Sequence, residues 1–130
     1  MSEKLTNNRQ AVLGVLNQSP SAMSAYEILD ALHQLDSKWK PATVYRALNF
    51  LIEEHYVHRI ESEQKFISCS HHHQDNDRHF LICKQCGAVA EHVLPVSAKS
   101  FLATMAAELE FTLQNNYLES HGVCAACQKQ

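Results

Sequence analysis

Residues 40–60 read KPATVYRALNFLIEEHYVHRI, and this stretch decides the fold of the first half of the chain. Pro41 suits the first turn of a helix, because its missing N–H would have no helical partner there. The apolar residues after it recur at i, i+3, i+4 and i+7, which is the spacing of a buried helical face: Val44, Ala47, Leu48 and Leu51. A β-rich run over residues 56–60 follows at once. The stretch therefore predicts a helix that leads directly into a strand.

Two more helices are predicted upstream of this one. Thr6 is placed to cap a helix over residues 7–17, which carries an apolar stripe. Ser24 and Glu27 have the spacing of a capping box, in which the glutamate side chain returns to the backbone N–H of the capping serine. Apolar residues at helical spacing follow this box, so a second helix is expected to begin there.

A second β-rich run, residues 65–69, comes after residues 56–60, and the polar segment 61–64 separates the two runs as in a hairpin. Three helices followed by a hairpin is the order of a winged helix-turn-helix domain. In that arrangement we expect the third helix to read DNA and the hairpin to be the wing.

The second half of the chain is predicted to mix helix and strand. Residues 79–83 form an apolar strand, and residues 89–93 alternate as a second strand. Ser97 is expected to cap a helix, and a final strand is expected over residues 111–118. The apolar face of that helix contains Phe101, Leu102, Met105 and Leu109. So few strands leave open sheet edges, which pairing with a second copy of the chain would cover.

Composition bounds the class of protein and its compartment. The chain has 130 residues, five Cys, nine His and a net charge of −3 at pH 7, which argues against a strongly basic, non-specific nucleic-acid binder. It has no apolar run near the roughly 20 residues that cross a bilayer and no signal-peptide-like start. We therefore expect a cytoplasmic protein without a membrane partner. Because thiols stay reduced there, the cysteines are interpreted as metal ligands or reactive thiols.

The strongest chemical signal is a pair of Cys-x-x-Cys motifs, Cys83 with Cys86 and Cys124 with Cys127. Two intervening residues let one turn direct both sulfurs at one ion, and four thiolates complete the closed tetrahedral set of a structural zinc site. The 37 residues between the motifs accommodate a strand, a helix and a strand that return the chain to its start. Two separate redox pairs or unremarkable buried cysteines are the alternatives, and a redox role would need a thioredoxin-like βαβ pattern around one motif, which is not seen.

A second set of candidate ligands remains after these four cysteines. Its members are His58, Cys69, His71, His72, His73, His79, Glu91 and His92. Thiolate, imidazole and carboxylate together suit a four-coordinate Zn²⁺ ion. A metal held by residues from both halves of the chain would control the angle of the DNA-binding head. The alternative is a solvated His-rich loop beside a buried cysteine.

These patterns predict an α+β chain in three parts. They are a winged-helix DNA-binding domain (1–69), a His-rich hinge (70–78) and a small α/β metal-binding dimerisation domain with a four-cysteine zinc site (79–130).

Several motifs together resemble the ferric uptake regulator family, a set of bacterial metal-sensing repressors. They are KPATVYRAL at residues 40–48, YVHR at 56–59, LICKQCG at 81–87, and HGVCAAC at 121–127 with Glu119 just before it. The last motif is most similar to the zinc uptake regulator branch. The resemblance covers nearly the whole chain, and it implies a homodimer that binds a palindromic operator in double-stranded DNA when loaded with metal.

The resemblance also implies roles for residues of the third helix. Tyr45 and Arg46 match positions that read bases, while Lys40 and Thr43 match positions near phosphates. An arginine can bond guanine O6 and N7, and a tyrosine can pack on a thymine methyl group. The alternative is that Arg46 has no role in DNA binding and simply faces solvent on the helix.

By the same resemblance the chain binds two zinc ions. The structural ligands are Cys83, Cys86, Cys124 and Cys127, and the regulatory ligands include His58, Cys69 and Glu91. We choose His79 as the fourth regulatory ligand. Because the loop after Cys69 does not align cleanly with the family, His71, His72 and His73 remain alternatives.

The leading hypothesis is a zinc-responsive repressor of zinc-uptake genes, which is not an enzyme and has no small-molecule substrate. An iron, manganese or peroxide sensor of the same family is the near alternative, and a cysteine ligand favours zinc. A further alternative is an interaction module that is stabilised by zinc and does not bind DNA. A zinc hydrolase would need an open coordination position and a general base such as Glu91, but no HExxH-type signature is present.

Overall fold

The structure of the chain is a computed structural model that describes residues 5–69 and 77–129. It divides into two compact units, residues 1–73 and residues 74–130, and each unit is described by itself. Most of the predicted hinge, residues 70–78, lies outside the described ranges. Within those ranges, no helix is long and apolar enough to cross a membrane.

The first unit begins with three helices, α1 (Asn7–Asn17), α2 (Ala25–His33) and α3 (Pro41–Glu53). Thr6 accepts a hydrogen bond from the backbone N–H of Arg9 at the start of α1. Both hydrogen bonds of the capping box formed by Ser24 and Glu27 are present at the start of α2. Pro41 occupies the first turn of α3. The predicted caps and helix starts are confirmed.

One apolar core holds these helices together. Val44, Leu48 and Leu51 of α3 are completely buried, as are Ile28 and Leu32 of α2. Burying one such side chain is worth roughly 1.5–3 kcal/mol, whereas short isolated helices are marginal in water. The packing of apolar faces therefore holds the unit together, and it leaves the opposite side of α3 at the surface.

The hairpin follows α3 and consists of β1 (Val57–Ile60) and β2 (Lys65–Ser68), which pair antiparallel over their full length. Met23 and Phe66 form a further β-bridge, in which each backbone N–H donates to the other residue's carbonyl oxygen. This bridge joins the segment before α2 to the hairpin. Three helices and this hairpin confirm the predicted winged helix-turn-helix.

The second unit contains β3 (Arg78–Cys83), β4 (Val89–Val93), α4 (Val96–Glu108), β5 (Tyr117–Gly122) and the short α5 (Ala125–Gln128). β3 is the central strand of a three-stranded sheet, with β4 antiparallel on one side and β5 parallel on the other. A parallel neighbour requires a crossover, which α4 supplies. The end of the chain therefore returns beside β3, as the spacing of the cysteine motifs predicts.

The predicted cap of α4 and both predicted bounds of the final strand are wrong. Ser97 does not cap α4, because the helix begins at Val96 with Pro95 at the cap position and no side-chain cap hydrogen bond. The final strand covers Tyr117–Gly122 instead of residues 111–118, because Tyr117 lies opposite Arg78 and Gly122 lies opposite Cys83, the two ends of the paired strand β3. Apolar character alone did not reveal where β3 begins and ends.

Candidate functional site

The first cysteine motif lies where β3 ends. Cys83 is the last residue of the strand, and Cys86 lies in the turn that follows it. Gly87 closes this turn with its N–H donating to the carbonyl oxygen of Cys83, 3.0 Å away. Its φ of 80° lies in the left-handed region, which glycine adopts at little cost. The turn therefore brings the two thiols to the same side.

The second motif reaches the same place from the end of the chain. Cys124 is the N-cap residue of α5, and Cys127 lies within that helix. The Sγ atoms of Cys83 and Cys127 are 3.8 Å apart, as are those of Cys86 and Cys124. All four sulfurs lie within 4.8 Å of one another. Tetrahedral zinc with Zn–S bonds of about 2.3 Å separates its sulfurs by about 3.8 Å, so the four thiols fit a zinc ion.

The pKa values of these thiols differ from one another. The backbone N–H groups of Cys124 and Cys86 donate to Sγ of Cys83, and they lower the pKa of that thiol to about 6. Hydrogen bonding with the Cys124 side chain, together with burial, raises the pKa of Cys127 to about 12. Cys83 therefore ionises more readily than an ordinary thiol, whereas Cys127 would need a bound metal to lose its proton.

The third helix presents the predicted DNA-contacting residues on the side away from the core. Arg46 is exposed, and Tyr45 is 47% exposed. Thr43 is half-buried one turn earlier, and Lys40 is exposed at the N-cap position. A helix N-terminus with a lysine beside it favours phosphate oxygens. Arginine and tyrosine side chains can reach base edges from the exposed side.

Two predicted regulatory ligands lie together in the first unit. His58 is on β1 with 7% of its surface exposed, and the half-buried Cys69 follows β2. Their ligand atoms lie within 4.8 Å of each other. The backbone N–H of Cys69 donates to the carbonyl oxygen of Tyr56, 2.8 Å away, which extends the hairpin pairing and holds the cysteine beside β1.

The other two predicted regulatory ligands, Glu91 and His79, lie in the second unit on opposite faces of its sheet. Glu91 is opposite Phe80, whereas His79 is opposite His92; paired residues share a face, and successive residues alternate between faces. A hydrogen bond of 2.7 Å joins Nε2 of His79 to Oγ of Ser120. The sheet therefore does not bring His79 and Glu91 together. The alternatives His71, His72 and His73 lie outside the described residues.

The sequence analysis did not single out Arg78, which is an ionic partner of Glu91. Its Nε donates to Oε2 of Glu91 at 2.9 Å, and the two side chains are 3% and 14% exposed. The signal that could have found it is the alternation of β3, since Arg78 shares a face with Phe80 and Ile82, which are buried. A charged residue among apolar ones on one strand face requires a partner.

Together the two units define a winged-helix protein with a four-cysteine metal-binding unit. Residues 1–121 match the family model described as the ferric uptake regulator family. The chain belongs to this family.

Comparison with individual proteins gives the degree of similarity. The zinc uptake regulation protein of Escherichia coli (strain K12) is 40% identical over 127 residues, which are 95% of this chain and 72% of that protein. The ferric uptake regulation protein of Campylobacter jejuni is 29% identical over 98% of this chain and 81% of that protein. A solved zinc uptake regulator in complex with zinc and DNA superposes with a TM-score of 0.90 at 38% identity, over 97% of this chain and 84% of that chain.

Proposed function

We propose that this protein is a zinc-responsive transcriptional repressor that binds the operators of zinc-uptake genes as a metal-loaded homodimer. The observation that carries the proposal is its likeness to zinc regulators. It is 40% identical to a zinc uptake regulation protein, against 29% to a ferric one, and its fold matches a zinc uptake regulator solved with zinc and DNA. The relatives compared are regulators, not enzymes. We place the protein in the cytoplasm, where its thiols would stay reduced.

The exposed side of α3 supports the DNA-binding part of this proposal. Arg46 and Tyr45 would read bases in the major groove, while Lys40 and Thr43 would contact phosphates. In a homodimer the two α3 helices would meet half-sites about one helical turn apart, so the operator should be palindromic.

The second unit supports the homodimer. Three of the exposed large apolar side chains in the described residues belong to the first unit and ten to the second. α4 buries none of its residues, and Phe101 and Leu109 on or beside it are 65% and 76% exposed. An apolar cleft of about 420 Å³ also lies over the sheet, lined by Leu81 and Ala90 among others. Exposed apolar surface of this extent is typical of an interaction site, and a second copy would cover it.

For metal we propose two zinc ions per chain with different tasks. The four-cysteine cluster holds one zinc, which fastens the end of the chain to β3. The second zinc is regulatory, with His58, Cys69 and Glu91 among its ligands. Because these ligands belong to two units, binding would favour one arrangement of the units and thereby DNA binding. We assign the fourth ligand to one of His71, His72 and His73, since His79 lies on the other sheet face from Glu91.

The experiment that tests this function combines metal analysis with a DNA-shift titration. Purified protein would be titrated with Zn²⁺, Fe²⁺ or Mn²⁺ against duplexes enriched from a random pool by the protein loaded with each of these metals in turn. We expect two zinc ions per chain, and a shift only once the second is bound. A shift with Fe²⁺ or Mn²⁺ at equal free concentration, and none with Zn²⁺, would make the protein an iron or manganese sensor instead.

Arg46→Ala tests DNA reading directly. Loss of a bidentate contact to guanine is worth about 1–3 kcal/mol, so operator affinity should fall about 10-fold or more at fixed salt while zinc content stays the same. Asn17→Ala, an exposed change at the end of α1, is the matched control. Unchanged affinity in Arg46→Ala would favour the interaction module that does not bind DNA.

A further inference from the structure

Arg78 is a buried guanidinium within a polar network of the second unit. Its Nε donates to Oε2 of Glu91 at 2.9 Å, and its Nη1 donates to the backbone carbonyl oxygen of Asp77 at 3.0 Å. The carboxylate of Asp77 in turn lies 3.6 Å from Nζ of Lys99 and accepts from the backbone N–H of Asn116 at 2.8 Å. Two hydrogen bonds therefore hold the guanidinium group of Arg78 in place.

Water screens the pairing of Arg78 with Glu91 poorly. The side chain of Arg78 is 3% exposed and that of Glu91 is 14% exposed. Charges in such surroundings interact over a lower effective dielectric constant than charges at the surface. Removing one partner of a buried pair leaves an uncompensated charge, which is unfavourable. The carboxylate of Glu91 therefore has a fixed positive counter-charge supplied by the chain itself.

We propose that Arg78 sets the zinc threshold of the regulatory site by competing with the metal for Glu91. This inference rests on the proposed role of Glu91 as a regulatory ligand. A divalent cation that uses Glu91 must share a carboxylate that a guanidinium already neutralises. The positive charge of Arg78 also repels the positive charge of the metal. The regulatory site consequently binds zinc more weakly than the same ligands would without Arg78, which raises the zinc concentration needed for a response.

A second mode of action makes the opposite prediction. A hydrogen-bonding neighbour can orient a metal ligand before the metal arrives, and losing such a neighbour typically weakens metal binding about 10- to 100-fold. If Arg78 acted mainly by orienting Glu91, its removal would lower zinc affinity. The direction of the change therefore distinguishes competition from orientation.

The test measures the affinity of the second zinc by chelator competition, with the zinc of the four-cysteine cluster already bound. Arg78→Met removes the charge and keeps an unbranched, shorter side chain, and we expect about tenfold tighter binding, equivalent to about 1.4 kcal/mol. Arg78→Lys keeps the charge and should bind zinc as the unaltered protein does. Lys99→Met removes a positive charge that lies 3.6 Å from Asp77, and it should also leave the affinity unchanged.

Folding is checked by far-UV circular dichroism and by retention of the first zinc. If Arg78→Met does not fold, Arg78→Gln takes its place, because glutamine keeps an N–H donor for Glu91 but carries no charge; it should also bind the second zinc more tightly. Unchanged or weaker zinc binding in the folded, charge-free variant would overturn the inference. So would an equal gain in Lys99→Met, since it would reflect net charge alone.

Glu91→Gln separates this inference from the proposed function. Weaker binding of the second zinc in Glu91→Gln, without a gain in Arg78→Met, overturns the role of Arg78 and leaves the regulatory site in place. Unchanged zinc binding in Glu91→Gln removes Glu91 from the regulatory site and overturns the role of Arg78, while the zinc-responsive repressor is still tested by the DNA-shift titration.

Discussion

At the scale of single residues, the cysteines differ in their surroundings. Cys83 is a buried strand end whose Sγ lies 3.8 Å from that of Cys127, whereas Cys69 follows the hairpin in the other unit. Structural zinc contributes directly to folding free energy, about 10–16 kcal/mol in zinc-finger peptides. The four clustered cysteines should therefore matter for the structure of the second unit, and Cys69 should matter for the response to zinc.

The corresponding prediction compares Cys83→Ser with Cys69→Ser. Cys83→Ser should lose the structural zinc and much of the ordered structure of the second unit. Cys69→Ser should retain one zinc and its circular dichroism spectrum, but lose zinc-dependent DNA binding. Zinc content, circular dichroism and a DNA-shift titration check these outcomes. Equal loss of structure in both variants would contradict the division into a structural and a regulatory site.

At the scale of elements, the start of α2 depends on its capping box. The backbone N–H of Ser24 donates to Oε1 of Glu27 at 2.8 Å, and this bond lowers the pKa of the glutamate from its ordinary value. A carboxyl whose pKa is lower in the folded state stabilises folding above its ordinary pKa. That contribution disappears as the pH falls through the lowered value.

Glu27→Ala tests this contribution. The variant should be less stable than the unaltered chain by about 0.5–1 kcal/mol at pH 7, and the difference should shrink as the pH falls through the lowered pKa of Glu27 and the carboxyl is protonated. Urea unfolding of the first unit across this pH range measures it. Glu63→Ala, in the exposed hairpin turn, is the control. A difference that stays constant with pH would show that the ionised carboxylate is not responsible.

We expect the exposed apolar side chains of α4 to form the dimer interface. Phe101→Glu places a charge on a side chain that is 65% exposed in the single chain, so it should not disturb the fold but should oppose burial in a dimer interface. Size-exclusion chromatography with light scattering should show a shift from dimer to monomer. Leu35→Glu, at an 80% exposed position of the first unit, should remain dimeric. A dimer that persists in Phe101→Glu would place the interface elsewhere.

At the scale of the whole molecule, the two units should respond differently to metal removal. The first unit has its own apolar core of helices and hairpin, whereas the second relies on four thiols to fasten its end. A weak chelator should remove the regulatory zinc first and abolish DNA binding with little loss of structure. A strong chelator should then expose the amides of β3 and β5 to hydrogen exchange, while those of α3 stay protected. Simultaneous loss of protection in both units would contradict independent stabilisation.

Local patterns made much of the fold predictable. Thr6, Ser24 and Pro41 act on the few residues beside them, so the starts of the first three helices follow from short-range chemistry. The boundaries in the second unit were less accurate, because β5 extends only where β3 offers a partner. Sheet boundaries depend on non-local pairing, which a periodic pattern does not contain.

The sequence by itself determined the winged helix-turn-helix and the membership of the four-cysteine cluster, because apolar periodicity and motif spacing are properties of the chain order. Only the tertiary structure decided that Arg78 accompanies Glu91 and that His79 lies on the other face of the sheet. Pairing of β3 with β4 places His79 on one face and Glu91 on the other, and it places Arg78 within 2.9 Å of Glu91. His79 and Arg78 precede Glu91 by 12 and 13 positions along the chain. Their placement relative to Glu91 is therefore set by the register of the strands and not by a short sequence spacing.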